Sequence, residues 1–243
     1  MPKFFVTEED IGNIYIKIHG EDVLHIKKVL RMREGDELEI CDSEGFDYVG
    51  RIELFDEDEI IVKILSKEKS QTEPPIRVTL FQGIPKAAKM DYIIQKTTEL
   101  GISDIVPCTL GRCVVKLEGN KKIARWQKIS EEAAKQSGRG IIPKIHDPVD
   151  LKTAIEMLKD YDLKFVPYEC EEENNLRSVL QGKNDVTTVG FIIGPEGGFE
   201  KSEIELLKEN GITPISLGRR ILRTETAGEA VLAMVMYELG DIN

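Results

Sequence analysis

Three segments of this chain carry residues able to do chemistry. The first is Thr188-Val189-Gly190-Phe191-Ile192-Ile193-Gly194-Pro195-Glu196-Gly197-Gly198-Phe199, where an apolar strand-like run enters a glycine-rich turn and a helix begins near Glu200. Glycines allow positive φ and close approach of backbone to a ligand. Open α/β sheets bind ligands at the carboxyl ends of their strands. The segment is neither G-x-G-x-x-G nor G-x-x-x-x-G-K-[ST], which disfavours a phosphate-binding nucleotide site. As bare pattern it reads equally as a tight connection and as a ligand site. The second segment is Ser216-Leu217-Gly218-Arg219-Arg220-Ile221-Leu222-Arg223-Thr224-Glu225-Thr226-Ala227-Gly228-Glu229. Arg219, Arg220 and Arg223 crowd one loop beside a buried-looking helix, which favours anion or RNA contact over plain solvation. Thr226 and Glu229 have capping-box spacing, which predicts a helix start at Thr226. The third segment runs from Lys86 to Gly101. Met90, Ile93, Ile94, Thr97 and Leu100 recur at helical spacing and face a core, Lys86, Lys89 and Lys96 share the polar face, and Gly101 fits the position that ends a helix.

Other chemistries find little support. Cys41, Cys108, Cys113 and Cys170 include no C-x-x-C pair, and His19, His25 and His146 are scattered. The cysteines read as small buried hydrophobes, and no metal is expected. No apolar run approaches the roughly 20 residues that span a bilayer, and the start MPKFFVTEED does not resemble a signal peptide, so a cytoplasmic protein with no membrane association is expected. The net charge of −11 argues against nucleic acid at first sight, but screening makes local charge decisive. Acid collects at 53–59 and 169–173. Base collects at 112–144 (Arg112, Lys116, Lys121, Lys122, Arg125, Lys128, Lys135, Arg139 and Lys144 against Glu118, Glu131 and Glu132) and at His25, Lys27, Lys28, Arg31 and Arg33. This pattern permits RNA binding without requiring it.

The elements that must position these residues fall into two regions. Residues 1–70 read as β-rich, with short strands at 14–18, 37–41, 48–54 and 60–65, a helix at 21–30, and turn signals between them, which suggests a small barrel. The polar run from Ser66 to Pro75 has no apolar period and reads as a linker, placed at 71–75. From residue 76 to 243, strand-like runs at 77–82, 105–109, 163–167, 188–193 and 213–217 alternate with helical ones at about 86–100, 120–137, 150–159, 174–181, 200–210 and 226–239. That alternation predicts an α/β domain with a mainly parallel sheet.

Five segments in order, HIKKVLRMREGD at 25–36, QKTTELG at 95–101, EEAAKQSGR at 131–139, GPEGGF at 194–199 and LGRRILRTETA at 217–227, resemble the family of ribosomal small-subunit RNA (uracil-N3) methyltransferases, a branch of the SPOUT trefoil-knot superfamily. Lys135 and Cys113 are departures from the pattern, where an acidic residue and serine are expected. The resemblance implies a PUA-like RNA-binding β-barrel followed by a knotted α/β methyltransferase domain. It implies S-adenosylmethionine as cofactor, a homodimer with each active site near the subunit interface, and a uridine of small-subunit (16S) ribosomal RNA, within the assembled subunit, as substrate. The cofactor pocket that it implies consists of Gly194, Glu196, Gly197, Gly198, Leu217, Gly218, Ile221, Leu222, Thr226 and Ala227, with Tyr168 and Glu169 as further contributors. In the implied reaction N3 of uridine must lose a proton. Arg223 is the candidate to stabilise the charge that then spreads to O2 and O4, and Glu225 or Glu196 the candidate proton acceptor. Because N3 lies on the pairing edge, the base must be unpaired or flipped. His25, Lys28, Arg31, Arg33, Lys86, Lys89, Arg112 and Arg139 are the candidate phosphate contacts. The rival readings are a knotted methyltransferase acting on another RNA atom, and a non-catalytic RNA-binding assembly protein. A nicotinamide enzyme is more distant, since no dinucleotide fingerprint is present.

Overall fold

A computed structural model describes residues 3–114, 121–183 and 185–242, so Lys116 and Glu118 of the basic run, and Asn120 at the expected helix start, lie outside the described residues. The chain forms two compact units, residues 1–73 with 134–142, and residues 74–133 with 143–243.

The first unit is built on a five-stranded sheet. Its elements are β1 (Lys3–Phe5), β2 (Tyr15–His19), α1 (Glu21–Leu24), β3 (Glu37–Cys41), β4 (Phe46–Phe55) and β5 (Glu59–Lys69), and the strand order is β1-β3-β4-β5-β2. The period-2 alternation read from the sequence is the burial pattern. Ile16 and Ile18 of β2, Leu38 and Ile40 of β3, Ile52 of β4 and Ile60 and Val62 of β5 face one core, which Phe4, Val23 and Ile26 complete. The expected helix at 21–30 forms, but widens into a π-helical turn over His25–Leu30 and stops at Arg31, whose φ is 55°. The polar run at 66–75 is corrected in part. Residues 66–69 are strand, pairing with Phe46–Val49 of β4, and Lys67 lies over the rings of Phe46 and Tyr48. No apolar alternation marked this strand, because there the ladder's backbone hydrogen bonds and the Lys67 stem do the work that core packing does elsewhere. Residues 134–142 also pack in this unit. The Cys41 thiol donates to the Gly140 carbonyl at 2.7 Å, and burial pushes this thiol's pKa up to about 12. Cys108 is buried as expected, whereas Cys170 is exposed.

The second unit contains β6 (Arg77–Gly83), α2 (Lys89–Glu99), β7 (Asp104–Thr109), α3 (Lys121–Ser137, whose last turn lies in the first unit), β8 (Lys144–Ile145), β9 (Val149–Asp150) and α4 (Leu151–Leu158). It continues with β10 (Leu163–Pro167), α5 (Leu176–Leu180), β11 (Thr188–Ile193), α6 (Lys201–Glu209), β12 (Thr213–Ile215) and α7 (Thr224–Leu239). The strand order is β12-β10-β11-β6-β7-β8, with β9 on β7, and every ladder in this sheet is parallel. A parallel sheet is covered on both faces, and two apolar clusters do this. Leu80, Phe165 and Phe191 pack against α2 and α7 residues such as Ile93 and Val231, while Phe81, Val106 and Ile192 pack against α4 and α6 residues such as Leu158 and Ile204. The helix expected at 86–100 begins later, at Lys89, because Ala87 takes a left-handed φ of 55°. The last strand ends at Ile215 rather than 217, where the Ser216 backbone N–H turns to the Asn174 carbonyl at 2.9 Å.

Asp162, before β10, accepts from both the backbone N–H and the hydroxyl of Thr187 and of Thr188, each at 2.9 Å. These bonds, that of the Thr187 backbone first, lower its pKa from 3.8 to about 2. A carboxylate with a depressed folded pKa adds stability above its unfolded pKa and loses it as the pH falls through the folded value. Asp162→Asn is therefore expected to be less stable than wild type at neutral pH, and the difference to shrink between about pH 4 and about pH 2. Denaturation midpoints measured across that range check this; a gap constant down to pH 2 overturns the assignment.

Candidate active site

The carboxyl ends of β10, β11 and β12 each release a loop, and these loops line one cavity of about 890 Å³. After β10 come Tyr168, Glu169, Glu171 and Glu172. After β11 comes the turn Gly194-Pro195-Glu196-Gly197-Gly198, closed by the Gly198 N–H donating to the Pro195 carbonyl at 2.9 Å. After β12 come Ser216 to Arg223, and then Thr224 and Ala227 of α7. The cavity is polarised, with carboxylates on the β10 loop and the guanidiniums of Arg219, Arg220 and Arg223 on the β12 loop. Ile193, Leu217, Leu222 and Ala227 supply apolar surface.

Of the residues expected at a pocket, Tyr168, Glu169, Gly194, Glu196, Gly197, Gly198, Leu217, Gly218, Ile221, Leu222 and Ala227 line this cavity, as does Arg223. Ile221 is 86% exposed. Glu225 does not line the cavity, and its Oε2 is 3.4 Å from the Lys89 ammonium. Thr226 is a correction. It is exposed, does not line the cavity, and does not begin the helix. Helix α7 starts at Thr224, because that hydroxyl donates to the Gly194 carbonyl at 2.6 Å and anchors the first turn two residues before the Thr226–Glu229 pair.

Glu196 is bound from several sides. It accepts from the Lys86 backbone N–H at 3.1 Å and from Lys89 Nζ at 3.0 Å. Burial works to raise its pKa, but its own backbone N–H, Lys89 and the Lys86 N–H outweigh that and hold it below the usual carboxylate range. The hydrogen bond to Glu196 in turn pushes the Lys89 ammonium's pKa up. One turn further along α7, burial raises the pKa of Glu229. Arg112 Nη1 donates to the Gly197 carbonyl at 2.8 Å, tying the loop after β7 to the glycine turn.

The other basic candidates divide. His25, Lys28, Arg31 and Arg33 are exposed on and after the π-helical turn of the first unit, while Lys86 and Arg112 are exposed in the second. Arg139 is a second correction. It is 4% exposed, and its guanidinium is bound by Glu73, whose carboxylate also accepts the backbone N–H of Gly140 at 2.8 Å. A buried, paired arginine holds a loop and is not free for phosphate.

Among the residues that build the site, two lay outside every motif read from the sequence, and another lay inside one without being singled out. Gln82 and Gly83 end β6, and Thr224 begins α7. A Cβ on Gly83 would lie 2.7 Å from Pro195 Cδ and 2.9 Å from the Ile193 carbonyl, so only glycine lets the glycine turn pack on this strand end. Strand-end residues look ordinary in sequence, and only the β6–β11 pairing brings them to the turn.

The chain matches the family model of an RNA methyltransferase domain over residues 72–236, and that of an RNA methyltransferase PUA domain over residues 18–65. It is 34% identical to Ribosomal RNA small subunit methyltransferase E of Bacillus subtilis, over 98% of this chain and 97% of that protein. It is 36% identical to the protein of the same name from Mesomycoplasma hyopneumoniae, over 93% and 95%. A solved Ribosomal RNA small subunit methyltransferase E from Neisseria gonorrhoeae, bound to S-adenosyl methionine, superposes with a TM-score of 0.87 at 29% identity over 100% of both chains. A putative methyltransferase from Legionella pneumophila, in complex with the bound cofactor SAM, does so with 0.86 at 31% identity over 99% of both.

Proposed function

Because the chain belongs to the RNA methyltransferase family, we propose that it is an S-adenosylmethionine-dependent methyltransferase that methylates N3 of a uridine in small-subunit ribosomal RNA. The polarised cavity at the ends of β10, β11 and β12 is the observation that carries this reading. Its size suits a ligand of nucleoside dimensions, since small-molecule sites run from about 300 to 1,000 Å³. Its residues fit the cofactor: apolar Leu217, Leu222 and Ala227 for a base, Glu169 for positive charge, and backbone at Gly194 to Gly198 free of side chains except at Pro195 and Glu196. When bound, S-adenosylmethionine supplies a methyl group already activated on a sulfonium, so the protein's task is chiefly positioning. The trefoil knot implied for the second unit belongs to this reading, with the cavity loops as its parts.

The chain's own residues then have three tasks. Arg223, at the cavity and at the N-terminus of α7, stabilises negative charge on the base once N3 has lost its proton. The proton goes to Glu196, which lines the cavity, or through water to Glu225, which does not; the Glu196 carboxylate is held below the usual range by its own backbone N–H and by Lys89. The exposed His25, Lys28, Arg31, Arg33, Lys86 and Arg112 hold RNA phosphates, and Lys89 joins them when it exchanges its carboxylate partners. Methyl transfer to small ribosomal subunits lacking the modification, followed by nucleoside analysis, tests the proposal. The expected product is 3-methyluridine; another methylated nucleoside overturns the choice of atom, and absence of cofactor binding overturns the reading.

The active form is proposed to be a homodimer. The outer side of α7 supports this, with Met234 42% and Tyr237 69% exposed on a helix whose other side is core, and with Tyr92 exposed on the neighbouring α2. Large apolar side chains grouped on a helix face mark an interaction site. Replacing Met234 and Tyr237 together with aspartate is expected to convert the dimer to monomer in sedimentation velocity without lowering Tm of the monomer fold. An unchanged sedimentation coefficient places the interface elsewhere.

A further inference from the structure

Gln82 is 0% exposed and lies outside every motif that pointed to the site. Its amide nitrogen donates to the Gly83 carbonyl and to Thr224 Oγ, each at 2.9 Å. The Thr224 hydroxyl, already accepting from Gln82, directs its own proton to the Gly194 carbonyl at 2.6 Å. Reversing the amide would set its oxygen against the Gly83 carbonyl, so the acceptors around it fix its orientation. One side chain at the end of β6 therefore fixes, through one hydroxyl, both the first residue of the glycine turn and the first residue of α7. Gly194 and Thr224 both line the cavity.

This arrangement carries a cost that stability does not explain. Among the described residues, Gln82 Oε1 is buried and finds no hydrogen-bond partner. A buried unpaired carbonyl is unfavourable; an apolar side chain of the same length would remove it, at the loss of the two bonds made by the amide nitrogen. Polar groups that break such a rule gather at functional sites. We infer that Gln82 is a positioning residue, holding the Gly194 carbonyl and the start of α7 in the geometry that binds the methyl donor. The inference rests on the proposal that this cavity takes S-adenosylmethionine.

The test separates positioning from fold maintenance. Kd for S-adenosylmethionine is measured by titration calorimetry, and Tm without ligand, for wild type, Gln82→Met, Thr224→Val, Thr224→Ser and the double variant Gln82→Met with Thr224→Val. Gln82→Met, which removes the unpaired Oε1 but also both bonds of the amide nitrogen, is expected to leave Tm within a few degrees while weakening binding about tenfold. Thr224→Val is expected to lose a similar factor, Thr224→Ser to recover most of it, and the double variant to bind no worse than either single one, since both interrupt the same relay. Wild-type affinity in Gln82→Met, a fall in Tm with Kd unchanged, or losses that multiply in the double variant would each overturn the inference. If Gln82→Met does not fold, the comparison of valine with serine at 224 decides: equal affinities overturn it. Wild type failing to bind S-adenosylmethionine overturns the proposed function itself, an outcome distinct from a bound wild type with unaffected variants.

Discussion

Arg223→Ala is expected to lower the rate of methyl transfer by about 10²–10³-fold while leaving the affinity for S-adenosylmethionine within a factor of about two. The expectation follows from what Arg223 does and does not hold. Arg223 lines the cavity although it is exposed, and among the described residues no ion pair engages it. The start of α7 does not need the guanidinium, because it is the Arg223 backbone carbonyl that accepts from Ala227 N–H at 2.8 Å. Alanine therefore removes a positive charge from the cavity wall and little else. A uridine that has lost its N3 proton carries charge on O2 and O4, and a donor placed where charge develops stabilises it, the more so once bound RNA and cofactor displace water from the exposed Arg223. Single-turnover rates with saturating cofactor, set beside calorimetric Kd values, check this. A large loss of cofactor affinity with an unchanged rate constant assigns Arg223 to the pocket instead. Arg223→Lys, which keeps charge but not the planar fork, is expected to recover part of the rate.

The second large effect is expected at Gly198. Its φ of 67° lies in the left-handed region, and a Cβ there would sit 3.2 Å from Glu169 Oε1. A β-branched residue in that region is strongly disfavoured, at a cost of at least 1–2 kcal/mol. Gly198→Val must therefore either distort the turn closed by Pro195 and Gly198 or push Glu169 from the cavity wall. Both damage the same site, and binding of S-adenosylmethionine is expected to weaken by about 10- to 100-fold, with Tm lower by a few degrees. Calorimetry and thermal denaturation of the one variant give both numbers. The bare sequence pattern left open whether this turn is a ligand site or a tight connection. A Tm loss with unchanged affinity selects the connection, and a loss of affinity selects the site.

What the sequence determined by itself was local. The period-2 runs at 14–18, 37–41 and 60–65 and the alternation after residue 76 marked the longer strands and the helices, because side-chain direction repeats with backbone geometry and burial follows it, whereas β1, β8 and β9 are too short to leave a period. Gly101 ends α2 with φ 93°, as a residue just past a helix end should. The glycine turn and the arginine loop were visible because a ligand-facing backbone needs special residue types in a short stretch. The tertiary structure decided the rest. Gln82 became a part of the site only because parallel pairing sets β6 beside β11, putting Gln82 within 2.9 Å of a threonine 142 residues away. Thr224 displaced Thr226 as the start of α7 because the Gly194 carbonyl lies within reach of the former. Arg139 turned from a candidate RNA contact into a buried anchor because Glu73, 66 residues earlier, meets it. In each case the deciding partner is distant in sequence. A hydrogen bond or an ion pair leaves no periodicity in the chain, so sequence could name the polar residues of this protein but not which of them would be buried, paired or left facing the cavity.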